Sequence, residues 1–214
     1  MPASIRNNLA GLAACALLAL GANARAAELL RPGDALNADA DVVTSDFRTN
    51  TLEFSGNVRV TQGPMSIQAD AAKADDFRSE NSRWSFEKSV HIVTAEADLQ
   101  SDSANAAVVG GQLSRARAAG SPAQFQQRGG SADRQIRGRA GVIEYDFAAG
   151  IVKLTDQVWF SNGKDEFRGD VVIYNVRDER LQINPGGQGR VQGIIRPQGK
   201  TTVSPPAPAP ESGE

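Results

Sequence analysis

Apolar residues in this chain recur at every second position over short stretches. Leu52, Phe54, Val58 and Val60 share one parity; so do Trp84, Phe86, Val90 and Ile92, and then Val152, Leu154, Val158 and Phe160. Equal parity along a strand means one face, so each stretch predicts a half-buried β-strand. Turn-forming pairs follow or interrupt them: Gly56-Asn57, Gly63-Pro64, Asn162-Gly163 and the Asn184-Pro185-Gly186-Gly187 run. The first of these predicts a bend or bulge inside a strand, the others loops. Beyond the N-terminal stretch no window sustains a helical 3.6-residue period.

The pattern repeats. Val58 and Val60 are followed by Ile67 and Asp70, Val90 and Ile92 by Leu99 and Asp102, Val158 and Phe160 by Phe167 and Asp170, with identical spacing. Leu36 with Asp39, and Ile136 with Arg139, repeat the second half. The anchors Leu36, Ile67, Leu99, Ile136 and Phe167 stand 31, 32, 37 and 31 residues apart, and the long interval contains Gly129-Gly130-Ser131. A shift of 100 residues also superposes Asp46 on Asp146, Phe47 on Phe147 and Val58 on Val158. Such periodicity predicts an all-β protein of β-hairpin units stacked in series, each bent hairpin covering the apolar face of the one before. Parity places Phe54, Val58, Val60, Ile67, Trp84, Phe86, Ile92, Leu99, Ile136, Leu154, Phe160, Phe167 and Ile173 in one shared interior. Counting by twos from the anchors adds Ala69 and Ala71, Gly138, Ala140 and Val142, Gly169 and Val171, and Ala38, Ala40 and Val42. Large residues would then face small ones, either as ordinary interdigitation or as a slot for a long apolar guest. An open stack keeps one unpaired edge at each end, expected near residues 36–47 and 171–183; alternatively residues 190–196 fold back over the second edge.

Composition narrows the class. The formal charge of −2 gives no basic field for nucleic acid. Residues 1–26 read as a signal peptide: Arg6, an apolar run from Leu9 to Ala22, and an Ala24-Arg25-Ala26 cleavage pattern, with a cut after Ala24 as the alternative. The run is shorter than the ~20 residues that a membrane span needs. The single cysteine, Cys15, would leave with the leader, which excludes disulfides and thiolate chemistry from the mature chain. Residues 27–199 then form one domain, and residues 200–214, rich in Pro, Ala, Ser and Thr, a disordered tail.

Candidate chemistry is sparse. One aspartate per repeat is too few for a calcium site, so no metal site is expected. The lone His91 sits inside an alternating strand, and the chain carries no G-x-S-x-G, metal-ligand cluster or phosphate loop, so neither an enzyme nor a cofactor is expected. Arg115, Arg117, Arg128, Arg134, Arg137 and Arg139 form a local basic excess, either a solvated face or a set of phosphate contacts.

Several segments together resemble the OstA-like family. These are Phe54-Ser55-Gly56-Asn57-Val58-Arg59-Val60, Ile67-x-Ala69-Asp70, Leu36-x-Ala38-Asp39, Gly120-Ser121-Pro122-Ala123-Gln124-Phe125, Gly141 to Asp146, and Arg168-Gly169-Asp170 to Tyr174. The resemblance covers about residues 34–183. It implies a twisted, partly open β jelly-roll in the periplasm whose inner apolar face binds the lipid A acyl chains of lipopolysaccharide. It also implies a bridge that passes this lipid from the inner to the outer membrane, self-associates end to end, and pairs edge strands with LptC-like and LptD-like partners. The thirteen inward residues above would be its lipid-binding face. The alternatives are an LptC-like relative and a structural β-solenoid scaffold without lipid cargo.

Overall fold

The computed structural model describes residues 36–196, apart from 96, 129–134, 176, 179 and 188. The expected leader and tail, with Cys15, lie outside the described residues, as does Arg134. The described chain is all β. Its first six strands are β1 (Asn37–Asp39), β2 (Val42–Asp46), β3 (Thr51–Gln62), β4 (Met65–Asp75), β5 (Arg83–Val93) and β6 (Ala97–Val109). Then follow β7 (Gln112–Gln127), β8 (Arg137–Asp146), β9 (Ile151–Ser161), β10 (Glu166–Asn175), β11 (Arg180–Ile183) and β12 (Gln192–Ile194). All twelve belong to one antiparallel sheet, and from β3 to β11 every strand pairs with the next in sequence. Both β1 and β2 pair with β3, and both β11 and β12 pair with β10. The hairpins are thus joined edge to edge rather than laid face on face.

A line of bulges bends the sheet. The register shifts between Ser55 and Val58 on β3, Glu87 and Val90 on β5, and Gly169 and Val171 on β10, with matching shifts on the strands between. At each point the odd-numbered strand carries one residue more than its even-numbered neighbours, and β7 two more. The extra residues take left-handed backbone: Gly56 and Asn57, Lys88 and Ser89, Asp156 and Gln157. Such conformations are rare for side-chain-bearing residues, so their recurrence in pairs marks a built corner. Gly56 is required there: a Cβ would stand 2.3 Å from a carboxylate oxygen of Asp41. That carboxylate accepts a hydrogen bond from Asn57 Nδ2 at 2.8 Å, while the Asp41 amide donates to Gly56 O at 2.9 Å. The recurrent Asp70, Asp102 and Asp170 are the single residues opposite these pairs.

The corner divides every long strand into two legs whose apolar faces pack together. One cross-strand row runs Val60, Ile67, Ile92, Leu99, Phe125, Gly138, Phe160, Phe167. The other leg carries Phe54, Ala72, Phe86, Ala104, Ala118, Ile143, Leu154, Val172 in matching order. Side chains of both rows share clusters, so each leg shields the other from water, worth about 1.5–3 kcal/mol for each large side chain fully buried. No strand pairing joins the free ends of the legs among the described residues.

Parity survives the corner on β3, β5 and β9, where inward residues lie four apart, as in Phe54 and Val58. It reverses on the even strands, where they lie three apart: Ala69 then Ala72, Ala140 then Ile143, Gly169 then Val172. The inward placement of Ile173 expected from sequence is therefore corrected. Val172 and Tyr174 are 4% and 2% exposed and face the core, while Ile173 points away from it. Ala71, Val142 and Val171 change face for the same reason, and Val42, with no strand outside it, is exposed. The interior is also not one cluster. Phe54, Val58, Val60, Ile67 and Phe86 belong to one, and Leu99, Ile136, Leu154 and Phe160 to a second; partly buried Ile92 touches both. Trp84 flanks the first and Phe167 the second, each partly buried.

The edges need one correction. The first lies where expected, on β1 and β2. The second is not β10, which is covered on one leg by β11 and on the other by β12. The fold-back of residues 190–196 takes place, and the outermost backbone is that of β11 and β12.

Candidate functional site: an alanine-walled apolar slot

Where the two clusters meet, the side chains become small. Ala104 pairs with Ala118 and Ala106 with Ala116 across β6 and β7, a two-by-two block of methyl groups. Their neighbours are large: Phe86 and Trp84 on β5, Ile143 and Tyr145 on β8. The block leaves a recess of about 130 Å³ between the legs. Val60, Ile67, Ile92 and Leu99 close it from the other leg, and Leu36 and Phe147 also border it. The lining is almost wholly apolar, and an apolar cavity of roughly 150 Å³ stays dry and admits a benzene-sized guest. The recess is therefore a place for a hydrocarbon segment and a poor one for water.

The aromatic walls are ordered by their own contacts. Trp84 stacks on Phe86 with centroids 6.2 Å apart, and Tyr145 lies against Phe147 at 3.9 Å. Burial pushes the Tyr145 phenol above its usual range, with the Arg177 charge opposing, so it stays neutral at physiological pH. Among the described residues Arg117 is the only charged one bordering the recess, and its side chain turns to the outer face, where its Nε lies 3.5 Å from Glu144 Oε1.

Of the thirteen residues expected inside, Val60, Ile67, Trp84, Phe86, Ile92 and Leu99 line the slot. Phe54, Val58, Ile136, Leu154 and Phe160 fill closed core, and Phe167 packs beside it. Sequence reasoning missed the alanine block. Its signal was the alternation Arg115-Ala116-Arg117-Ala118, in which the arginines drew attention and the inward alanines did not. Those arginines are largely paired on the outer face, Arg115 with Asp146 at 3.1 Å and Arg117 with Glu144, while Arg128 donates to Thr94 O at 3.1 Å. His91 sits on the same outer face, 3.0 Å from Asp98 Oδ1. No group of three or more metal-binding side chains converges among the described residues.

The chain is similar in sequence to known proteins. The lipopolysaccharide export system proteins LptA of Haemophilus influenzae and Escherichia coli K12 are 22% and 24% identical to the chain over 162 residues. Each alignment covers 76% of this chain, with 77% and 71% of the respective relatives. The crystal structure of LptH, the LptA homologous periplasmic component of the lipopolysaccharide transport device of Pseudomonas aeruginosa, aligns at 16% identity with a TM-score of 0.39. That alignment covers 76% of this chain and 96% of LptH. Residues 37–180 match the family described as LptA/(LptD N-terminal domain) LPS transport protein, and the chain belongs to that family.

Proposed function

We propose that the protein carries lipopolysaccharide through the periplasm, seating acyl chain in the alanine-walled slot and joining like folds at its two edges. The slot is the observation that carries this reading. Each methylene removed from water contributes about 0.8 kcal/mol, so an apolar recess favours hydrocarbon strongly. Its present volume takes a segment of one chain only. Away from the corner no strand pairing joins the legs among the described residues, so a lipid with several chains is accommodated by their spreading. A scaffold without cargo has no use for a methyl-lined gap in the middle of its core.

The ends support the bridge. Both terminal strands are broken at the corner, β1 from β2 and β11 from β12, so each end repeats the bend of the interior. Leu36, Val42, Val43 and Phe47 are exposed at one end, Val191, Ile194 and Ile195 at the other. Neither edge carries the Lys or Pro residues that commonly block strand addition. Asp39, Asp41 and Asp46 lie along the first edge, Arg180, Arg190 and Arg196 along the second, so unlike ends attract. Edge pairing with LptC-like and LptD-like partners, and self-association end to end, follow from this reading.

Photo-crosslinking in living cells tests it. A photoreactive residue at Ile92 or Trp84 is expected to yield lipopolysaccharide adducts, and one at Arg59, on the outer face, none. Ala106→Phe, which fills the recess, is expected to abolish the Ile92 adduct while the chain stays folded. Absence of adducts from every slot position would overturn the proposal.

A further inference from the structure

The outer face of the sheet carries a second groove, of about 680 Å³, which among the described residues shares no lining with the apolar slot. Trp159 is among the residues that line it. Outward-facing residues here follow one cross-strand row, Gln124, Arg139, Trp159, Arg168 and Gln192, on β7, β8, β9, β10 and β12. A tryptophan on a polar face, with an arginine on the strand to each side, is not explained by the core. The Arg139 guanidinium carbon lies 5.8 Å from the indole centroid. Arg190 borders the same groove, as do the corner carboxylates of Asp156 and Asp170. Among the described residues, none of Arg139, Arg168 and Arg190 is held in an ion pair, in contrast to Arg115 and Arg117.

We infer that this groove binds a phosphorylated sugar. A pyranose ring has an apolar C–H face, which suits the indole, and a rim of hydroxyls, which donate to the carboxylates of Asp156 and Asp170. Guanidinium groups present parallel donors matched to phosphate oxygens. An indole flanked by cations combines both requirements in one place. The two aspartates set the selectivity: they repel a bare polyanion but accept hydrogen bonds from a sugar. The site therefore favours sugar and phosphate in one molecule over either alone. It is independent of the slot, since the ligand needs no acyl chain and binds the opposite face of the sheet.

The test uses the full-length mature protein with ¹⁵N-labelled indoles, which give one resonance each for Trp84 and Trp159. Glucosamine 6-phosphate is expected to shift the Trp159 resonance saturably and leave Trp84 in place. Glucosamine alone and inorganic phosphate alone are expected to bind at least about tenfold more weakly. Arg168→Gln and Arg139→Gln, both exposed and away from the core, should each weaken the phosphosugar by about tenfold, with an unmoved Trp84 signal reporting an intact fold. A parallel titration with the acyl-free phosphorylated glucosamine disaccharide of a glycolipid separates the sources. Tighter binding than the monosaccharide assigns a lipid headgroup, and equal binding assigns free sugar phosphates. No saturable shift at Trp159 overturns the inference. So does an equal response to inorganic phosphate, or one unchanged in both arginine variants. Binding that persists in Ala106→Phe is expected, and its loss there would assign the effect to the slot instead.

Discussion

Asp46 and Asp146, one hundred positions apart, close the same turn in two different hairpins. Asp46 Oδ1 accepts from the amides of Arg48 and Thr49 at 2.8 and 3.1 Å, and Asp146 Oδ1 from that of Ala149 at 2.9 Å. A left-handed residue ends each turn, Asn50 in one and Gly150 in the other. The shift that superposes the two halves of the sequence is thus a superposition of turns.

These turns predict a pH dependence. The Asp46 carboxyl is held below its ordinary range by the amide of Thr49 first, then by that residue's side chain and the Arg48 amide. The Asp146 carboxyl is held low mainly by the Ala149 amide, with Arg115 assisting and burial opposing. A carboxyl whose folded pKa is depressed stabilises the fold above its unfolded value, about 3.9, and that stability is lost as pH falls through the lower folded value. Both carboxyls are expected to protonate among the last aspartates in an acid titration followed by carboxyl ¹³C NMR. Asp146→Asn should flatten the acid limb of the stability curve. Titration of Asp46 and Asp146 together with the remaining aspartates would contradict the turn geometry.

Core and slot should respond differently to truncation. Phe160 is 3% exposed inside a closed cluster, so Phe160→Ala should cost about 3–5 kcal/mol in urea unfolding. Trp84 borders the recess and is only partly buried, and Trp84→Ala should cost clearly less despite removing a larger side chain. Equal costs would mean that the slot is as tightly packed as the core.

Gly138 shows why one row position must stay bare. A Cβ there would lie 2.4 Å from the Phe125 ring and 3.2 Å from Trp159 O. Gly138→Ala is expected to destabilise by about 1–3 kcal/mol through overpacking. The double variant Gly138→Ala, Phe125→Leu should recover part of that loss, and chemical denaturation of the three proteins measures it.

Strand position separates folding from assembly. Val172 is interior, paired with Leu154 on one side and Ile183 on the other. Val172→Pro should therefore unfold the C-terminal hairpin rather than merely dissociate an oligomer. End-to-end association should instead fail in Val43→Lys, where the β2 edge is exposed, and should weaken with added salt because the two edges differ in charge sign. Sedimentation at increasing concentration reads both effects. Salt-independent association would remove the charge argument.

Most of the inward face was legible in the sequence for a definable reason. On β3, β5 and β9 the corner spans four positions, so Phe54 and Val58, Phe86 and Val90, and Leu154 and Val158 keep one parity through it. On the even strands it spans three, and the reversal occurs at Asp70, Asp102, Gly141 or Asp170, single positions with no paired turn residues to announce it. Val171-Val172-Ile173 is uniformly β-prone, so composition could not say which of the three turns inward. The slot was foreseen only as one of two options, and its place at the alanine block of β6 and β7 escaped for another reason. It is defined by side chains that are missing, and alanine on a strand looks equally suited to an inner or an outer face. The closed end at β12 was foreseeable only as one of two options, because Gln192-Gly193-Ile194 carries little strand signal.

The line of bulges has a consequence for assembly. Because every long strand turns at the same height, the cross-section of the trough is decided within each strand and its length by how many strands are laid side by side. Any chain whose outer strand breaks at that height can prolong the trough without a seam. A neighbour seated one residue out of step would set its apolar rows against the partner's polar ones and its corner against a straight leg. In the end-to-end association proposed above, the corner would act as a gauge for the joint, favouring a correctly aligned neighbour and penalising a misaligned one before any lipid is bound.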